Sequence, residues 1–240
     1  MKKTLLLMTA LGALCVSGVK ADTLLTWDFR NAEQGANSID GSSLDSRLYD
    51  PTLTMSGALT PYPAPLFVAS GWNHNGISLT NSDYFEFTID LAEPGYSISL
   101  SSITARVGMG GSIFSAPEGA TFQWAYSIGG GAFHLIDETF NIVGSSGLTI
   151  NQNLDTIQDL QGVTQSISFR IFASASSLSS PTNAADNIGL TNILRQSYGL
   201  KVDGTVAPSA VPEPHEWAVL TGLMLGGLVW VRIRRRAQLA

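Results

Sequence analysis

The chain has 240 residues, 44% of them hydrophobic and 13% charged, with a formal net charge of −6. Residues 22–211 alone hold seventeen acids and six bases, a net of −11, because the other bases gather at the two ends. So acidic a middle argues against nucleic acid and other polyanions as partners and leaves neutral glycans and cations open.

At the start, Met1-Lys2-Lys3 is a positive segment, residues 4–16 are apolar, and Val19-Lys20-Ala21 places short side chains at −3 and −1. This is the pattern of a secretory signal peptide over 1–21, cut by signal peptidase between Ala21 and Asp22. The only cysteine, Cys15, lies inside it, preceded by Leu14 where a lipoprotein needs a small residue. The exported part therefore has no disulfide, no thiolate ligand and no thiol nucleophile, and its hydrophobic core must supply its stability.

Between the signal and the tail, apolar residues alternate with polar ones and are interrupted by Gly, Pro, Asn and Ser clusters, the signature of strands. Residues 24–29 read as the first strand, 31–47 as a polar loop, and 52–59 as a short strand before Pro61-Tyr62-Pro63-Ala64-Pro65. Residues 84–91 give the clearest alternation: Phe85, Phe87, Ile89 and Leu91 face the core, while Tyr84, Glu86, Thr88 and Asp90 face out. Pro94-Gly95 turns the chain into 96–100, whose face slips at Ser101-Ser102, as at a bulge, before Ile103, Ala105 and Val107.

Phe122, Trp124, Tyr126 and Ile128 make another apolar face, and Gly129-Gly130-Gly131 supplies the positive-φ positions of a hairpin that returns over 132–140. Ile167, Phe169, Ile171 and Ala173 alternate again, 183–195 admits a short helix, and 198–206 reads as the closing strand. The expected organisation is an all-β, antiparallel, jelly-roll-like β-sandwich over 22–206, then a linker over 207–211 and a segment of different character over 212–240.

Few residues in the sandwich point to chemistry. Gly108-Met109-Gly110-Gly111 lacks the rest of a phosphate-binding loop, and there is no Gly-x-Ser-x-Gly. His74 and His134 are far apart in sequence, and the close carboxylates Asp137-Glu138 and Glu86/Asp90 read as solvated strand edges. No catalytic residue is assigned, and the chain reads as a non-enzyme. Asn151-Gln152-Asn153-Leu154-Asp155 alternates oxygen ligands as calcium loops do, but lacks the turn glycine and terminal glutamate; a polar turn is the simpler reading, and no cofactor is expected.

The candidate recognition segment is Gly71-Trp72-Asn73-His74-Asn75-Gly76. Trp72 could offer a flat face to a sugar, with Asn73, His74 and Asn75 as hydrogen-bonding groups; the competing reading is a core tryptophan under a loop.

The tail joins three chemically distinct pieces. Pro212-Glu213-Pro214 cannot be helical, because each proline fixes its φ and extends the residue before it. Residues 217–231 carry no charge, bracketed by Trp217 and Trp230, and Arg232, Arg234, Arg235 and Arg236 close them. An apolar helix flanked by interfacial aromatics and closed by arginines is a membrane anchor whose basic end stays cytoplasmic. Fifteen residues span roughly 22 Å against about 30 Å of hydrocarbon, a mismatch that snorkelling arginines reduce.

That ordered pattern resembles the PEP-CTERM sorting signal. The resemblance implies recognition by exosortase, a membrane-embedded cysteine protease or transpeptidase, and final delivery to the cell envelope or an exopolysaccharide matrix. The sandwich resembles a recurrent type among PEP-CTERM proteins of Verrucomicrobia-like bacteria, through Leu25-Thr26-Trp27-Asp28-Phe29, Asp83-Tyr84-Phe85-Glu86-Phe87, Gly95-Tyr96-Ser97-Ile98-Ser99-Leu100, Ser168-Phe169-Arg170 and Val202-Asp203-Gly204-Thr205-Val206. That resemblance establishes no activity; the reading of the chain is a structural or adhesive surface protein, with a glycan-binding module as the alternative and a glycan hydrolase below both.

Overall fold

The computed structural model describes residues 21–209 except 64–65, 112, 114–117, 144–146, 176–186 and 194. Most of the signal segment, and the tail with Pro212, Glu213, Pro214, Trp217, Trp230, Arg232, Arg234, Arg235 and Arg236, lie outside the described residues. Among the described residues no helix is long and apolar enough to cross a membrane.

The strands are β1 (Asp22–Trp27), β2 (Ser38–Asp40), β3 (Ser42–Ser43), β4 (Thr52–Met55), β5 (Thr60–Pro61), β6 (Phe67–Ser70) and β7 (Tyr84–Ile89). They continue with β8 (Tyr96–Met109), β9 (Ala120–Ile128), β10 (His134–Ile142), β11 (Gly147–Asn153), β12 (Ile167–Ala175), β13 (Ile188–Leu190) and β14 (Leu200–Pro208). Every pairing is antiparallel, and the strands form two sheets. The six-stranded sheet runs β10-β9-β12-β7-β4-β2, and the eight-stranded sheet runs β3-β1-β14-β8-β13-β6-β5 with β11 also on β8. Since β11 and β14 pair with the same stretch of β8, they lie on its opposite margins.

The alternation puts one face of each sheet inward, and the aromatic side chains meet there. Phe87 on β7 lies 4.8 Å from Trp27 on β1 and 5.4 Å from Phe169 on β12, ring centre to ring centre, while Phe67 on β6 lies 5.0 Å from Phe85. Burying each such side chain contributes about 1.5–3 kcal/mol, which lets a chain without disulfides hold two sheets together. The Trp27 indole needs Gly41 beside it, because a Cβ there would sit 2.7 Å from the ring. The indole nitrogens of Trp27 and Trp124 are buried without a partner among the described residues, a local cost the aromatic packing offsets.

The expected bulge is present. Asp203 pairs with Ser102 and Gly204 with Leu100, leaving Ser101 unopposed, so the buried face of β8 moves from Ile98 and Leu100 to Ile103, Ala105 and Val107. Gly129 and Gly130 both have positive φ in the β9–β10 turn.

The structure departs from expectation in four places. The 31–47 segment contributes β2 and β3, whose few residues are too polar to show a pattern. β6 is buried at every position, so it has no alternation. Ile188–Leu190, inside the stretch that admitted a helix, is strand, because it fills the gap between β8 and β6. Residues 207 and 208, assigned to the linker, complete β14 against Ser97 and Tyr96.

One corner predicts a pH response. Asp28 accepts hydrogen bonds from the Arg30 side chain, from Arg30 N and from Asn192 Nδ2, and the Arg30 contact foremost, against an opposing effect of burial, holds its carboxyl well below the usual carboxylate range. Asp45 is lowered in the same way by Arg47. A depressed folded pKa gives stability that is fully present above about pH 4, the unfolded value, and is lost as pH falls below it. Urea midpoints measured against pH should stay level down to about pH 5 and then fall, and Asp28→Asn should make the fall shallower.

Candidate functional site

The Trp72 segment is built as a corner of the core. Trp72 is 3% exposed, its ring meets Phe85 edge-on at 5.0 Å, and its Nε1 donates to the Ala69 carbonyl. Asn73 donates through its main-chain N and Nδ2 to the buried Asp83 carboxylate, and Nδ2 also reaches the Ala173 carbonyl on β12. Its Oδ1 accepts from Asn75 N, while His74 is half-buried and Asn75 exposed. The indole offers no face to a sugar: Trp72 takes the competing place of a core tryptophan under a loop, and Asn73 holds that loop down. The polar groups that looked like a ligand fork tie the loop to Asp83 and β12.

The 151–155 segment is part strand and part polar turn. Asn151, Gln152 and Asn153 complete β11, and Asn153 Oδ1 accepts from Asp155 N in a local turn. His134 opens β10 with its ring 5.7 Å from that of Tyr126. Glu86 pairs with Arg170, whose guanidinium lies 4.0 Å from the Tyr84 ring centre and 3.8 Å from that of Phe133.

A different aromatic residue faces solvent. Leu48 is buried at 5% and bridges to Leu91, and the next residue, Tyr49, donates its N to the Asp90 carbonyl and is 57% exposed. Anchoring Leu48 inward turns the Tyr49 side chain outward, by the same alternation that builds the strands.

Beside Tyr49 the six-stranded sheet splits. β4 pairs with β7 only at Thr54↔Glu86 and Met55↔Phe85; its earlier residues Thr52 and Leu53 keep β2 on their other margin but have no partner on β7. The divergence leaves a groove of about 450 Å³, floored by Phe87 and walled by Asp50, Thr52, Thr88 and Asp90. Several of these groups are already placed: Asp50 Oδ1 accepts from Ser43 N, Thr52 Oγ1 donates to Asp40, and Thr88 shares a hydrogen bond with Ser168. The result is a fixed row of hydroxyls and carboxylates next to a ring that has little covering it.

No family model matches the sequence, and no curated protein sequence does either. Among solved structures, the chain is similar to the xylan-binding module CBM15, with 12% identity and a TM-score of 0.40, over 79% of this chain and 100% of that one. It is similar to the CBM22-1 xylan-binding domain of Paenibacillus barcinonensis Xyn10C, with 9% identity and a TM-score of 0.35, over 77% and 95% of the two chains. It is also similar to a cyclase from Fischerella sp. TAU, with 11% identity and a TM-score of 0.31, over 80% and 100%. Likeness of this size transfers neither a ligand nor a reaction to this chain.

Proposed function

We propose that this chain is an exported surface protein whose β-sandwich binds a neutral polysaccharide in the Tyr49 groove, and whose tail hands it to exosortase. The binding role rests on one observation, the 57% exposed Tyr49 ring at the mouth of a groove walled by hydroxyls and carboxylates. The C–H face of a sugar ring packs on an aromatic face, and its hydroxyls donate to carboxylates. Asp50 and Asp90 suit a neutral chain of sugars and repel an acidic one, in keeping with the net charge of −11 over 22–211. Signal peptidase, the inner membrane and exosortase are the partners in delivery, and exopolysaccharide is the partner at the destination.

The test is a panel of soluble neutral and acidic polysaccharides against the full-length chain. Saturable binding to a neutral member is expected, with Tyr49→Ala weakening it about tenfold, or ~1.4 kcal/mol. Trp72→Phe, which keeps the core filled, should leave affinity within about twofold. Absence of saturable binding to every member would favour a purely structural surface role. Equal binding by wild type and Tyr49→Ala would remove the groove from the site.

A further inference from the structure

We infer that a second groove, at the open margin of the sandwich, is a divalent-cation site that takes calcium through Asp137, Glu138 and Gln152. It lies far along the six-stranded sheet from Tyr49, between the outermost strand of that sheet, β10, and the marginal strand β11 of the other. Its volume is about 370 Å³, and Tyr126, Asn153 and Thr156 share its walls with the three proposed ligands.

The backbone aims the carboxylates there. Leu135 pairs with Ala125 and Thr139 with Gln123, so residues 136–138 oppose a single residue of β9 and bulge out of the ladder. Gln123 Nε2 donates to the Ile136 carbonyl and holds the bulge in shape. Bulges of this kind redirect side chains next to functional sites. They also make Asp137 and Glu138, which read in the sequence as two consecutive residues of a solvated edge, both line the same groove.

None of the four ion pairs among the described residues involves Asp137 or Glu138, so two carboxylates meet the groove without a base. Gln152 is 2% exposed; its Nε2 donates to Glu138 Oε2 at 3.2 Å and to the Asn153 carbonyl at 3.1 Å, which leaves its buried Oε1 with no partner. The Tyr126 hydroxyl donates to Asp159, and Asn153 Oδ1 already accepts from Asp155 N. What Asp137, Glu138 and Gln152 have to spare is therefore oxygen acceptors and negative charge. A hard cation is the complement of such a set, and Tyr126, 8% exposed, offers a sugar no free aromatic face.

Calcium fits better than magnesium. The donors are irregularly placed and the volume leaves room for several bound waters, whereas magnesium demands a near-octahedral set. No three of His, Cys, Asp and Glu converge among the described residues, so two carboxylates, one amide oxygen and water make a site of about 10⁻⁴–10⁻³ M, the range of extracellular modules. An ion there would relieve the carboxylate repulsion and clip the two sheets together at their open margin.

The experiment is thermal melting of the full-length chain in detergent at about 150 mM salt, with calcium or magnesium chloride up to about 10 mM. Calcium is expected to raise Tm by about 3–6 °C, and magnesium by much less. Asp137→Asn/Glu138→Gln should abolish the rise, and Glu93→Gln, an exposed acid elsewhere, should preserve it. No rise with calcium, an equal rise with magnesium, or a rise retained in the double variant overturns the site. If the double variant fails to fold, terbium emission sensitised by the aromatic residues of the wild-type chain decides: emission displaced by calcium supports the site, and its absence overturns it.

Discussion

Phe87→Ala is expected to lower folding stability by about 3–5 kcal/mol, measured as a shift in urea midpoint at unchanged m-value. Phe87 is 2% exposed and sits where both sheets meet, its ring centre 4.8 Å from Trp27, 5.4 Å from Phe169 and 6.3 Å from Trp124. Truncation would remove the ring's transfer free energy and leave a void that cannot close, because its neighbours are pinned by ladders on β1, β9 and β12. A domain of this size holds about 5–15 kcal/mol, so the loss would consume a large share. Phe87→Leu, which keeps most of the volume, should cost about 1–2 kcal/mol. A loss from Phe87→Ala below about 1 kcal/mol would mean that this face does not bear on the core. Phe87 also floors the Tyr49 groove, so ligand binding is better probed at Tyr49.

The central strands were legible because each is half-buried in a way that prints itself on the chain. β7, with the burial pattern of Phe85, Phe87 and Ile89 in and Tyr84, Glu86 and Thr88 partly out, is the clearest case. Even the bulge at Ser101 shows in the sequence, since one unopposed residue shifts the apolar phase by one. Strands without that print were hidden. β6 is buried all through, and β11, which among the described residues pairs with β8 alone, has one buried aliphatic side chain, Ile150.

Both grooves were hidden for a further reason. Each depends on a register that no local window contains. Tyr49 faces out because Leu48 pairs with Leu91, forty-three residues later, and the groove beside it opens because Thr52 and Leu53 of β4 have no partner on β7. Asp137 and Glu138 share a groove because the β9–β10 ladder skips. Trp72 admitted two readings, display and core, and the fold chooses the core. A tryptophan among glycines and asparagines looks like a display loop until Asp83 is seen beneath it, accepting from Asn73.

Replacing Pro212-Glu213-Pro214 with three alanines should abolish processing of the tail while leaving export and membrane insertion intact. In the proposed delivery, secretion rests on the signal ending at Ala21, and insertion on residues 217–231 with Arg232, Arg234, Arg235 and Arg236, none of which the replacement touches. Recognition, in the proposed delivery by exosortase, needs an extended backbone just outside the bilayer, since proteases bind their substrates extended. The two prolines enforce that geometry, whereas alanine, the best helix former, lets a helix continue upward from the anchor. The sandwich also ends close to Pro212: β14 runs to Pro208, Ser209 N donates to the Gly95 carbonyl, and the three residues from 209 to 212 can reach at most about 11 Å. An epitope inserted between the exposed Gly57 and Ala58 and followed by size and location, in cells with and without exosortase, reads the outcome. The parent should be shortened and released only where the enzyme is present, and the alanine variant should remain full-length in the membrane in both. Neutralising the four arginines should instead disturb orientation, shown by loss of protease accessibility of the epitope from outside. An alanine variant shortened and released like the parent would reduce the tail to a plain anchor.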